Sequence, residues 1–219
     1  MNWRHILKKI LKKNKNQNST SLTVIWIHGA NQSCNSFNYL SEKCNFENEI
    51  FVEYDSSNSF YENLDLIYHQ VSTFDYCFLI GHSMGGVYAL HLLRKLNVVG
   101  AVSISTPFNG SRTADWAKFV VPKYQLFKDA GKRSGPIISG HDIEITCPWT
   151  QIVSTGGGVP YHEGPNDGVC TTKSMEHRKS DMHIVRVVAT HFEVMVSPEV
   201  KEIIVENYNR VCSNFNNRI

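Results

Sequence analysis

The stretch Tyr76-Cys77-Phe78-Leu79-Ile80-Gly81-His82-Ser83-Met84-Gly85-Gly86-Val87 decides the reading of this chain. Tyr76 to Ile80 is a short apolar run with the composition of a buried strand, and Met84 to Leu96 carries the apolar spacing of a helix. Between them Gly81, Ser83 and Gly85 form a G-x-S-x-G pattern in a strand-turn-helix context. A serine in so sharp a turn sits in strained backbone, and neighbours without side chains let strand and helix approach each other. The Ser83 hydroxyl is then expected to project above the edge of a sheet. An ordinary glycine-rich turn shares the bare pattern; the elements on either side distinguish the two.

Working outward, the same strand signature recurs at Leu22 to Ile27, Ile50 to Tyr54, Val98 to Ser103, Trp149 to Val153 and His183 to Val188. Helical patterns lie at Phe60 to Val71, at Met84 to Leu96, and at Pro198 to Val211 after Ser197, an N-cap residue type. Strands alternating with helices predict a mainly parallel sheet of an α/β domain, with chemistry at the carboxyl ends of its strands. Two stretches break the alternation. Residues 107–147 show no clear strand and are expected to form a small cap or lid. Residues 154–180 are rich in Gly, Pro and Asn and read as a loop.

A serine hydroxyl is a weak nucleophile until a base removes its proton, so the pattern demands a histidine and, behind it, a carboxylate. His191 follows the last strand candidate and Asp167 lies in the Gly164-Pro165-Asn166-Asp167-Gly168-Val169 loop, in the order Ser, Asp, His. The competitors are weaker. His183 falls inside a strand run, His177 in a polar run, and His28 at the first turn, where a structural role is expected. His141-Asp142 lies within the cap region and Asp181 at the wrong end of a strand. Donors for a tetrahedral oxyanion are expected from the backbone N–H groups of Met84 and Ala30.

Four segments carry a likeness: His28-Gly29 after the first strand, Gly81 to Gly86, Ser105-Thr106-Pro107-Phe108-Asn109-Gly110-Ser111 with Ala114-Asp115, and Asn166-Asp167-Gly168-Val169 with the distal His191. In these the chain resembles the α/β-hydrolase superfamily, within it the lipase and esterase branch that includes small bacterial lipases and lipase-like GPI inositol-deacylases. The resemblance implies a three-layer α/β-hydrolase fold with six or seven mainly parallel strands. It further implies a serine hydrolase that cleaves carboxylic esters, lipid or otherwise apolar, through an acyl-enzyme on Ser83. Acyl transfer, thioester hydrolysis, or a non-catalytic binding protein on the same scaffold are the alternatives. Trp116, Phe119 and Phe108 are expected to bind substrate. Some related lipases hold calcium near the histidine loop, but no matching pair of carboxylates is present here, so no metal and no cofactor is expected.

The chain has 219 residues, 42% hydrophobic and 19% charged, which suits one domain. Its formal net charge of +2 argues against a nucleic-acid partner. The charge is uneven: Arg4, Lys8, Lys9, Lys12, Lys13 and Lys15 precede the first acid, Glu42. The division is a basic tail over residues 1–20 and a hydrolase domain over 21–219. Trp3, Ile6, Leu7, Ile10 and Leu11 give the tail the spacing of a basic amphipathic helix suited to peripheral contact with an anionic membrane, with a solvated extension as the alternative. No apolar run reaches membrane-spanning length, the tail lacks the apolar core of an export signal, and six cysteines occur without a C-x-x-C pair. Free thiols and a cytoplasmic location are expected, with Cys34 and Cys44 the pair that could be bridged after unconventional export.

Overall fold

The computed structural model describes residues 22–111, 125–158 and 164–216. The N-terminal tail, Trp116 and Phe119 lie outside these residues. Six strands, β1 (Leu22–Ile27), β2 (Glu49–Val52), β3 (Tyr76–His82), β4 (Val98–Ile104), β5 (Trp149–Ser154) and β6 (His183–Val187), form one sheet in the order β2-β1-β3-β4-β5-β6. Every pairing is parallel.

The central strands are buried on both faces, which explains their continuous apolar runs. Side chains of β1 alternate between layers: Ile25 and Ile27 join the core on one face, Val24 and Trp26 the core on the other. The first layer holds α2 (Phe60–Val71) and α3 (Met84–Leu92). Phe60, Leu64, Ile67 and Val71 make the buried stripe of α2. Its start is fixed by a capping box, in which Ser59 Oγ accepts from the Glu62 N–H and the Glu62 carboxylate accepts from the Ser59 N–H. The second layer holds α1 (Asn38–Cys44) and α7 (Pro198–Asn216), which contributes Val200, Ile204 and Val211. The arrangement is the three-layer α/β architecture anticipated above, with six strands.

Within residues 107–147, the described part contains α4 (Gln125–Asp129) and α5 (Gly135–His141). Ala130, Ile137 and Ile143 belong to the same core cluster as α2 and α3, and His91 Nε2 of α3 donates to the Pro136 carbonyl oxygen at 2.9 Å. The described part of this segment from Ala130 to Ile143 therefore packs on that core. The last described helix before β6 is α6 (Thr172–Met175). All six cysteines are free thiols, Cys34 and Cys44 included. Among the described residues no helix is long and apolar enough to cross a membrane.

Strand order reverses at β1, since β2 lies on one side of it and β3 on the other. In open parallel sheets the crevice outside the carboxyl ends of such strands is where ligands bind. Gly29 leaves β1 there and Ser83 leaves β3 there.

Candidate active site

Ser83 links β3 to α3 with φ 52° and ψ −122°, in the region L-residues rarely adopt. Its N–H donates to the Ile104 carbonyl oxygen of β4 at 2.8 Å, which anchors the turn to the neighbouring strand. The approach of α3 to the sheet explains the glycines. A Cβ on Gly85 would overlap the Ile27 carbonyl oxygen, and one on Gly81 would overlap the backbone of Gly85 and Gly86. The strained serine is therefore held from both sides.

Asp167 and His191 pair with each other. Asp167 Oδ2 lies 2.6 Å from His191 Nδ1, and the His191 N–H donates to the Asp167 carbonyl oxygen at 2.9 Å. Asp167 Oδ1 accepts from the N–H groups of Val169 at 2.9 Å and Cys170 at 2.7 Å, while Oδ2 also accepts from Ser154 Oγ at 2.6 Å. All four acceptor positions of the carboxylate are filled. Burial pushes the Asp167 carboxyl upward, but the hydrogen bonds from His191, Cys170 and Ser154 outweigh it and hold it below the ordinary aspartate range. Such an ion is equipped to fix an imidazole in the tautomer with its proton on Nδ1.

His82, the residue before Ser83, was not singled out by its sequence position, and it joins the two halves. Its Nε2 lies 3.0 Å from the His191 carbonyl oxygen and its Nδ1 3.0 Å from the Gln32 side-chain amide. The two imidazole rings are 4.9 Å apart. The His191 backbone is thus tied to the residue adjoining Ser83. Ser83 Oγ and His191 Nε2 make no hydrogen bond to each other or to another described residue. His191 is only 3% exposed.

Complete burial pushes His82 down to about 3, with the His191 charge adding to the effect. Between that value and the ordinary 6.5, the unfolded chain binds a proton that the folded chain does not, so stability rises with pH across this window. His28 and His91 are also lowered by burial and act in the same sense. Replacing His82 with Gln, which retains a donor for the His191 carbonyl, is expected to reduce the slope of unfolding free energy against pH by roughly 1 kcal/mol per pH unit. Urea unfolding across that window measures it; an unchanged slope would show that His82 is not the buried neutral group described.

Ala30 and Met84 line one small cleft with Tyr54, Ser56, Asn58, Tyr88 and Asp129. His28 does what its place after β1 suggested: its ring stacks on Tyr54 at 4.1 Å, and Tyr54 Oη donates to the His28 carbonyl oxygen at 2.8 Å. Phe108, expected to bind substrate, is only 3% exposed, and its ring stands edge-on to Trp149 at 6.2 Å. The competing groups lie elsewhere. Asp181 pairs with Arg178 at 2.7 Å, His141 Nε2 sits 3.1 Å from the Phe108 carbonyl oxygen beside exposed His177, and His183 is exposed on the edge strand.

Phe192, Val188 and Val169 are exposed apolar residues beside the histidine and acid in sequence, and the Phe192 ring stands edge-on to His191 at 5.3 Å. Asp167, Cys170 and His191 place potential ligand atoms within 4.8 Å of one another. The Asp167 and His191 atoms are already joined by a hydrogen bond, and burial pushes the Cys170 thiol well up, so this grouping does not make a ready thiolate site.

No family model and no curated protein matches the chain. Its fold, however, is similar to that of solved structures. A lipase-esterase related protein from Clostridium acetobutylicum is 17% identical, with a TM-score of 0.58 over 90% of this chain and 96% of that one. The mature lipase BlEst2 of Bacillus licheniformis is 16% identical, with a TM-score of 0.64 over 88% of this chain and 94% of the lipase. A monoacylglycerol lipase of Paleococcus ferrophilus is 17% identical, with a TM-score of 0.56 over 84% of this chain and 92% of the lipase. The chain shares the three-layer α/β-hydrolase fold of these structures.

Proposed function

We propose that this chain is a serine hydrolase of carboxylic esters, working through an acyl-enzyme on Ser83 with His191 as general base and Asp167 as its orienting acid. The observation that carries the proposal is the 2.6 Å contact between Asp167 and His191, on a histidine whose backbone is held by the residue adjoining Ser83. In the first half-reaction Ser83 Oγ attacks the ester carbonyl carbon while His191 Nε2 takes the hydroxyl proton. The carbonyl π electrons move to oxygen, and the N–H groups of Ala30 and Met84 receive that charge. Collapse of the intermediate breaks the bond to the alcohol, which leaves with the proton from His191. Water then repeats the sequence on the acyl-enzyme and releases the acid, restoring Ser83.

The lipases and esterases of the same fold support an ester of small-molecule type as substrate. Exposed Phe192, Val188 and Val169, together with the Trp116 and Phe119 of the sequence, favour an apolar acyl group, lipid or otherwise. The basic tail would add peripheral contact with an anionic membrane, a reading that rests on its sequence alone.

The test is a stopped-flow series with p-nitrophenyl esters of increasing acyl length. A burst of p-nitrophenol matching the enzyme concentration, followed by slower turnover, is expected for the acyl chain whose deacylation is slowest. Turnover of none of these esters by folded protein would remove the esterase reading, and a preference confined to the acetyl ester would remove the apolar-substrate part of it.

A further inference from the structure

Behind the acid lies a buried pair of hydroxyls that the reaction as described does not use. Ser154, the last residue of β5, places Oγ 2.6 Å from Asp167 Oδ2, and Ser105, just beyond β4, places Oγ 2.6 Å from Ser154 Oγ. Both serines are 0% exposed. An ionised carboxylate only accepts, so the single Ser154 proton goes to Asp167 and the Ser105 proton must go to Ser154. The polarity of the chain is therefore fixed: Ser105 donates to Ser154, which donates to the carboxylate that accepts from His191.

Ser105 adopts this place at a conformational cost. Among the described residues only Asn31, Asn45, Ser83 and Ser105 are non-glycine residues with positive φ, and asparagine tolerates it far better than serine. The two serines with φ 52° are thus the candidate nucleophile and the far end of this hydroxyl chain. Its N–H donates to the Ile152 carbonyl oxygen at 2.8 Å, which ties the strained residue to the strand that carries Ser154.

We infer that Ser154, supported by Ser105, is a positioning residue that acts through Asp167: its hydroxyl holds Oδ2 in line with the imidazole and sets how strongly that oxygen attracts a proton. The inference rests on the assignment of Asp167 and His191 given above. The titratable groups facing the carboxylate are His191, Cys170 of its own loop and His82 of β3, with His28 beyond His82. Removing the Ser154 donor leaves Asp167 a stronger base. The imidazolium form of His191 is then held more tightly and the carboxylate itself is protonated more readily. Both effects move the acid limb of the pH profile in one direction, upward.

Ser154→Ala is therefore expected to raise the acid limb of kcat/KM for a p-nitrophenyl ester by roughly half to one pH unit. It should lower kcat by about tenfold or more, with KM nearly unchanged. Ser105→Ala should shift the limb the same way by less, because the Ser154 bond survives. Ser154→Thr retains the hydroxyl and should retain the wild-type limb even where its extra methyl lowers the melting temperature. A merely structural role moves the melting temperature and leaves the limb in place; that result in Ser154→Ala overturns the inference. Should Ser154→Ala fail to fold, an unmoved limb in Ser105→Ala overturns it instead. Asp167→Asn separates the two levels: full activity in that variant sinks the assignment of the acid, whereas loss there with an unmoved limb in the serine variants sinks only the role of Ser154.

Discussion

Replacing Ser83 with Ala is expected to lower ester turnover by on the order of 10⁶, to the rate left by binding and oxyanion donors alone. The described groups around Asp167 and His191 are not equipped to substitute. Burial pushes the neighbouring Cys170 thiol well up, so it supplies no thiolate, and His82 is held neutral with its ring nitrogens occupied by Gln32 and the His191 carbonyl. The substitution deletes one oxygen from a partly exposed side chain that makes no hydrogen bond to another described residue, so folding should be unaffected. Circular dichroism and melting temperature should match wild type. A folded variant that keeps wild-type turnover would remove Ser83 from the reaction.

The second large effect is expected at Asp167. Asp167→Asn keeps the shape but presents either an amide N–H or a neutral oxygen to His191 Nδ1 in place of a carboxylate. The imidazole loses both the charge that stabilises its protonated form and the partner that selects its tautomer, and kcat should fall by about 10⁴. The loss should be partly recovered at high pH, where hydroxide assists and protonated imidazole is not required. The acceptors are also mismatched: the N–H groups of Val169 and Cys170 and the Ser154 hydroxyl all donate toward this group, and an amide NH2 facing any of them repels. A fall in melting temperature should therefore accompany the loss of rate. Comparing the variant with His191→Ala decides the assignment, because residues that work as a unit are not additive and the double substitution should cost little more than the worse single one.

Much of the architecture was legible because it is written in local physics. Strands buried on both faces read as continuous apolar runs, and all six candidates correspond to β1 through β6 within about two residues at either end. Phe60–Val71 was legible as a helical pattern, and in the structure its buried residues Phe60, Leu64, Ile67 and Val71 recur at three- and four-residue spacing. Asn38–Cys44 was not legible, since only Leu40 of its seven residues is buried and the rest carry no apolar period. At the site, the strand-turn-helix setting of Ser83 and the loop positions of Asp167 and His191 were readable from order along the chain.

What escaped reading depends on which strands become neighbours. Ser105 and Ser154 are far apart in sequence, and only the pairing of β4 with β5 brings their hydroxyls together. The same holds for His82, whose contact with His191 is set by the crossing of the sheet. Phe108 shows the same limit: its place in a site motif did not show that its ring would stand edge-on to Trp149. The functional assignment as a whole depends on Ser83 acting as the nucleophile, which can be tested without knowing the natural substrate.

A fluorophosphonate probe forms a phosphorus–oxygen bond to an activated serine as fluoride leaves and the histidine base takes the proton. Incubated with the folded full-length chain and analysed by intact mass and peptide mapping, it should give a single adduct per molecule on the peptide carrying Ser83, and none in Ser83→Ala. Folded wild-type protein that stays unlabelled, or that carries the adduct on another residue, would contradict the account.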